Sequence, residues 1–261
     1  MTAKLGAAGG TGPKFSPLEV GWVHSYWPGG PAFKAEGYPD GQVMNDGETI
    51  PDEVGTKDLT SDSGAAETTL TYVASSNVNS KPAIRGADTS GDHPPFSSPS
   101  FSPRIGVDPS DGFYASATGW SMVVIWNQGP MTNNEYGNVI EDKTSNTWFE
   151  MKLRASTNSL NFRLSSYLYA ASIGWASGDT IAVMTKTQSN LHYVDVNGTN
   201  YVNIARAGFS LSGVQLFMRS TTAYPFSGDL AFVGIYEGDC TGDPAWSDFE
   251  TWASDELGAT I

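Results

Sequence analysis

The chain has 261 residues, enough for one large β domain or two small ones, and its 28 Asp and Glu against 14 Lys and Arg set a formal charge of −14. That balance argues against a nucleic-acid backbone or an anionic membrane surface as partner. The single cysteine, Cys240, excludes an intrachain disulfide and a thiolate metal cluster, while 29 glycines, 15 prolines and eight tryptophans favour short strands joined by many turns.

Residues 1–17, MTAKLGAAGGTGPKFSP, carry no apolar run, so they fit neither a secretory signal nor a membrane span. They are expected to form a flexible arm ahead of one domain over residues 18–261. Without export signal, anchor or disulfide, the expected place of synthesis is a cytoplasm. Next, LEVGWVHSYW (18–27) reads as a first strand, and residues 28–56, rich in Gly, Pro and Asp with no sustained period, read as a loop. Short strands are expected at 69–74 and 81–85, before a second loop at 86–103.

From residue 118 onward β-rich runs follow at close intervals: GWSMVVIWNQ, YGNVIED, TWFEMKLRA, LNFRLS, DTIAVMTKTQ, GVQLFMRS and DLAFVGIYEG. Short strands separated by Gly, Asn, Ser and Asp point to an antiparallel sandwich. In 179–186 the residues Ile181, Val183 and Thr185 alternate with Ala182, Met184 and Lys186, and in 147–153 Trp148, Glu150 and Lys152 alternate with Phe149, Met151 and Leu153. Each such strand is expected to bury one face and leave the other partly wet. The run 122–126 is apolar on both faces and belongs at the centre of a sheet.

The strongest local signal is LHYVDVNGTNYVNI, residues 191–204. Asn197-Gly198 between two β-rich runs demands a type I′ turn, in which both central residues need positive φ. An unbroken register from that turn pairs Asp195 with Asn200, Val194 with Tyr201, Tyr193 with Val202, His192 with Asn203 and Leu191 with Ile204. The face with Leu191, Ile204, Tyr193 and Val202 is then core, and the face with Val194, Tyr201, His192 and Asn203 is partly exposed. The chain closes on a helix, with Asp243 as N-cap, Pro244 in the first turn, Trp246, Phe249, Ala253 and Leu257 at helical spacing, and Gly258 as the stop.

This order of features resembles the laminin G-like jelly rolls of the concanavalin A-like lectin and glucanase superfamily. Four segments carry the resemblance: LEVGWVHSYWPGG with the later GTKDLTSDSG, NSKPAIRGAD, LHYVDVNGTNYVNI, and GDLAFVGIYEGDCTGDPAWSDFETWASDELG. Together they span residues 18–258 and imply an all-β fold, an antiparallel two-sheet jelly-roll sandwich with one short C-terminal helix. Hydrolases, lectins, adhesion modules and viral surface proteins share that fold, so it does not fix an activity. A nearly isolated jelly roll with a Gly/Ala arm and no signal peptide most resembles bacteriophage virion proteins. The resemblance thus implies a non-enzymatic virion surface or structural protein, a capsid decoration or tail component. It would dock through its arm and a sandwich edge on other virion proteins and copies of itself. The alternatives are a lectin-like module that binds a host glycan, and a glycoside hydrolase.

A retaining hydrolase needs two carboxylates about 5 Å apart across the sugar. Glu141 and Asp142 are adjacent and point to opposite faces of a strand, Glu150 has no second acid two positions away, and Glu237 and Asp239 alternate only at the end of the closing strand. No catalytic set is assigned. His24, His93 and His192 lie far apart with no metal-ligand spacing, so no metal site is assigned either. The candidate ligand-binding residues are His192, Tyr201 and Asn203 on the hairpin, and Tyr167, Tyr169 and Trp175 as aromatic platforms in a loop-rich stretch. Trp120, Trp126 and Trp148 are expected in the core. Calcium is the one cofactor the resemblance raises, and YPDGQVMNDGETIPDE offers Asp40, Asn45, Asp46, Glu48, Asp52 and Glu53 as oxygen donors, all of them also ordinary turn formers. The Asn197-Gly198-Thr199 sequon has meaning only in a secretory pathway.

Overall fold

The computed structural model describes residues 15–44, 47–61, 70–86, 96–97, 99, 119–131, 136–142, 149–157, 159–164, 167–171, 175–188, 191–205, 211, 213–217 and 226–261. The first half of the chain holds β1 (His24–Tyr26), α1 (Pro31–Glu36), β2 (Val43–Met44), β3 (Thr49–Ile50), β4 (Leu59–Ser61), β5 (Leu70–Val73), β6 (Ala83–Gly86) and β7 (Phe96–Ser97). Longer strands follow: β8 (Trp120–Gln128), β9 (Tyr136–Asp142), β10 (Phe149–Arg154), β11 (Ser159–Leu164), β12 (Tyr167–Ala171), β13 (Thr180–Gln188), β14 (Leu191–Val196) and β15 (Thr199–Ala205). The chain ends with β16 (Val214–Leu216), β17 (Gly228–Glu237) and α2 (Trp246–Leu257).

Sheet I runs β15-β14-β13-β8-β17-β6-β5-β2 with β1 also on β17, and sheet II runs β12-β11-β10-β9-β16-β7-β4-β3. Every pairing among the described residues is antiparallel. The expected jelly-roll sandwich with a terminal helix is the observed architecture. Among the described residues no helix is long and apolar enough to cross a membrane.

The apolar run in β8 has a direct structural cause. Trp120, Met122, Val124 and Trp126 enter the core between the sheets, while Val123 and Ile125 enter a second core on the outer face of sheet I. In β13 the same split sends Ile181 and Val183 inward and Ala182 and Met184 outward. The outward face of this strand, expected to be partly wet, is therefore buried as far as Met184. What covers it is α2, whose Trp246, Phe249, Trp252, Ala253 and Leu257 form one buried stripe. The Phe249 ring sits 5.3 Å from the rings of Trp22 and Phe232, 5.4 Å from Trp246 and 5.5 Å from Trp252. A Cβ on Gly234 would lie 2.9 Å from Trp22 Cδ2, so a bare position on β17 is what lets that indole lie on the sheet.

Gly258 ends α2 in the left-handed conformation, φ 66°, as expected. The helix starts at Trp246 with Ala245 at its N-cap, two residues after the expected Asp243, so Pro244 lies outside it; Asp243 acts ahead of the helix, its Oδ1 accepting from Ala245 N at 2.8 Å and its Oδ2 from Gly21 N at 3.0 Å. One carboxylate thus ties the start of α2 to the N-terminal segment.

The expected first strand is much shorter than residues 18–27. Ser16-Pro17-Leu18-Glu19 is a capping box, with Glu19 Oε1 accepting from Ser16 N at 2.8 Å, and Pro17–Glu19 folds as a 3-10 turn. Phe15 packs against the outer core, so residues 15–17 lie on the domain, and the rest of the expected arm, residues 1–14, is outside the described residues. The stretch 28–56, expected to be loop, contains α1, β2 and β3. Carboxylates supply much of its order. Glu53 accepts from Ala32 N at 2.9 Å and Phe33 N at 2.8 Å, at the start of α1. Buried Asp52 accepts from the amides of Ser25 (3.0 Å), Gly55 (3.0 Å) and Lys57 (3.1 Å), and its Oδ2 lies 2.6 Å from His24 Nδ1.

Truncation of Phe249 to Ala should lower the unfolding free energy by about 3–5 kcal/mol, since it empties the centre of the aromatic cluster. Urea titration reads this, and a loss under about 1 kcal/mol would mean that α2 is not anchored there. Burial raises the Asp52 carboxyl, but the hydrogen bonds from His24, Ser25 and Gly55 outweigh it and hold the pKa below the usual value. With the folded pKa below the unfolded one, the stability Asp52 contributes is in place above about pH 4 and is lost as pH falls through the folded value. Asp52→Ala should therefore lower Tm at neutral pH and flatten the decline of Tm below about pH 4. A variant that keeps the parent Tm and acid limb would show that these hydrogen bonds contribute nothing net.

Candidate functional site

β14 and β15 meet at Asn197, φ 48°, and Gly198, φ 71°, the two positive angles of a type I′ turn. Asn197 also fastens the hairpin to its neighbour: its N donates to Ala182 O at 2.9 Å and its Oδ1 accepts from Ala182 N at 2.8 Å. Val196 opposes Thr199 and Asp195 opposes Asn200, but then the register slips. Val194 pairs with Val202, and Tyr201 is left as the extra residue of a β-bulge. Beyond it Tyr193 opposes Asn203, His192 opposes Ile204 and Leu191 opposes Ala205.

This corrects the expected pairing, and with it the expected faces. His192, Val194 and Val196 are buried, while Tyr193 is only half-buried, with the Lys186 ammonium 5.1 Å from its ring centroid. The parity of β14 follows from β13. Val183 and Thr185 point inward and are paired with Val196 and Val194, so those positions must face the core with them. The bulge then brings Val202 to the buried side and leaves Tyr201 outside it, 40% exposed.

Tyr201 borders an open cleft of about 530 Å³, a size usual for small-molecule sites. Trp175, Asp179, Thr180, Asn197 and Gly258 are among the other residues that line it. Three elements meet here: the turn before β13, the β14–β15 hairpin, and the C-terminal end of α2. The turn is built by Asp179, whose Oδ2 accepts from Ala176 N at 2.6 Å and whose N donates to Ala176 O at 3.1 Å. It is bolted to β8 through Gln128, which donates its N–H to Asp179 O at 2.8 Å and accepts from Gly178 N at 2.7 Å. Trp175 belongs to the inter-sheet core, and its buried Nε1 has no hydrogen-bond partner among the described residues. The cleft thus combines two aromatic side chains with a carboxylate, a hydroxyl and a side-chain amide whose oxygen is already committed to Ala182.

Of the six candidates from the sequence, Tyr201 and Trp175 both line this cleft, but Trp175 is buried in the inter-sheet core and is not the exposed platform expected of it. His192 lies in the core. Asn203 stands opposite Tyr193, and Tyr167 and Tyr169 stand opposite Leu164 and Phe162 in the β11–β12 ladder, but the side chains of Asn203, Tyr167 and Tyr169 lie outside the described residues. Asp179, Thr180 and Asn197 are new. Asn197 was visible only as a turn former and Asp179 only as the start of a strand.

The acids separate by role. Asp239 lies 3.1 Å from Lys186 Nζ and accepts from Thr241 Oγ1 at 2.7 Å, while Glu237 is exposed. Buried Glu141 stands directly opposite Glu150 across β9–β10 and opposite Gln215 across β9–β16, a juxtaposition that a search along one strand cannot find. The side chain of Glu150 lies outside the described residues, as do Trp148 and His93. In the proposed calcium loop, Asn45 and Asp46 are outside the described residues as well. Asp40 accepts from Ala74 N at 2.8 Å and Glu48 from Gln42 Nε2 at 3.4 Å, while Asp52 and Glu53 hold the backbone amides given above. Among the described residues no three His, Cys, Asp or Glu side chains gather as a metal-binding group.

The chain matches no protein-family model and no curated protein. Solved structures do resemble it. A mutant of Trypanosoma rangeli sialidase displaying trans-sialidase activity superposes with a TM-score of 0.51 at 10% identity, over 95% of this chain and 35% of that one. The Ruminococcus gnavus IT-sialidase CBM40 bound to α2,3 sialyllactose gives 0.38 at 14% identity, over 58% of this chain and 89% of that one. The native heptameric SAP-like pentraxin from Limulus polyphemus gives 0.35 at 12% identity, over 45% and 63%. The chain spans about a third of the length of the sialidase chain it matches. At such identities the likeness is one of fold: an antiparallel two-sheet β-sandwich.

Proposed function

We propose that the chain is a non-catalytic carbohydrate-binding module and that the Tyr201 cleft is its sugar site. The observation that carries the reading is the bulge at Tyr201, which holds an exposed aromatic on the wall of a cleft also lined by Trp175, Asp179, Thr180 and Asn197. A pyranose presents an apolar C–H face and a ring of hydroxyls. An aromatic ring with its electron-rich face takes the former, and a fixed carboxylate, an amide N–H and a threonine hydroxyl take the latter. The donors and acceptors sit on a strand end and two short turns fastened by backbone hydrogen bonds, so little ordering is needed on binding.

The virion reading, first among the expectations from the resemblance, turns on docking through residues 1–17 and a sandwich edge on other virion proteins and copies of itself. Of these Phe15, Ser16 and Pro17 are described, and they lie on the domain against the outer core. The cleft gives glycan binding a concrete set of contacts, and for that reason it is the reading adopted.

A glycan array probed with the full chain and with Tyr201→Ala tests it. Specific binding by the parent should fall at least about tenfold in the variant, the loss of one stacking contact, with Tm unchanged because Tyr201 is exposed. An array without a bound glycan, or equal binding by the two proteins, would overturn the assignment.

A further inference from the structure

We infer that the Tyr201 cleft selects neutral sugars and rejects acidic ones, an inference that rests on the glycan-binding reading above. Among the described residues that line the cleft, Asp179 has the one formally charged side chain, and none is Lys or Arg. Recognition of a sugar carboxylate normally calls on a guanidinium fork or an ammonium. Three of the cations described elsewhere are engaged with acids: Arg85 makes two bonds to Asp229, at 2.7 and 2.8 Å, Lys186 pairs with Asp239, and Lys81 pairs with Glu256.

Asp179 is also fixed in place. Its Oδ2 is anchored on Ala176 N at 2.6 Å, which leaves Oδ1 to accept from a ligand hydroxyl. A ligand carboxylate in the same cleft would face this charge without a compensating cation, in a chain of net charge −14. Repulsion of that kind at a partly screened surface amounts to about tenfold in affinity, and it weakens as salt shortens the screening length.

The test compares N-acetyllactosamine with its α2,3-sialylated form on one array, at about 0.05 M and about 1 M NaCl, for the parent and for Asp179→Asn. The asparagine keeps an oxygen for Ala176 N, so the turn survives. The parent should bind the neutral glycan at least about tenfold more tightly at low salt, and both high salt and Asp179→Asn should narrow that ratio. Equal or tighter binding of the sialylated form by the parent overturns the selectivity while leaving the glycan reading in place. A ratio that does not change in the variant overturns the role of Asp179. Absence of binding to any glycan on the array removes the glycan reading itself, and this inference with it.

Discussion

The central strands of sheet I are buried on both faces, and that double burial shapes much of the rest of the structure. A two-sheet sandwich needs only one buried face per sheet, and here β8, β13 and β17 send alternate residues into a second core closed by α2 and the N-terminal turn. The rings of Trp22, Phe232, Phe249 and Trp252 interlock in that layer at centroid distances near those preferred by aromatic pairs. Four of the eight tryptophans, Trp22, Trp27, Trp246 and Trp252, belong to this layer, where a helix laid across a twisted sheet leaves gaps that large flat side chains fill. The same docking also brings Gly258, at the end of α2, to the wall of the cleft, so stability and site geometry share one element.

Several of the 28 acids are likewise structural. Asp52, Glu53, Asp243 and Asp179 accept backbone N–H bonds in turns and at helix starts, and Asp229 takes both Arg85 and the amide of Asn77. Carboxylates used this way replace the ladder hydrogen bonds that a loop-rich chain lacks. Acid-rich loops of this composition look like cation sites in a linear sequence, since oxygen donors for calcium and acceptors for amides are the same side chains.

The sequence made legible whatever is decided locally. The NG turn, the αL stop at Gly258, the central position of residues 122–126 and the sandwich class all follow from short-range preferences. What it left hidden depends on neighbours distant in the chain. The parity of β14 is set by β13 and not by its own alternation, which is ambiguous because both faces carry apolar residues. The bulge at Tyr201 has no local marker such as glycine. The Glu141–Glu150 pairing joins two strands, and the capping box at Ser16 competes with a β-rich run that it precedes. At the cleft, the two aromatic residues were visible by type, whereas Asp179, Thr180 and Asn197 became candidates only when three separate elements converged.

The bulge at Tyr201 has a consequence for how such a protein changes over time. Tyr201 lies outside the one-to-one ladder, contributes little to either core and sits beside a turn held by Asn197, so its identity is free to drift while the scaffold stays intact. Under the proposed glycan reading, variation at that one position would change recognition without renegotiating the packing of either layer.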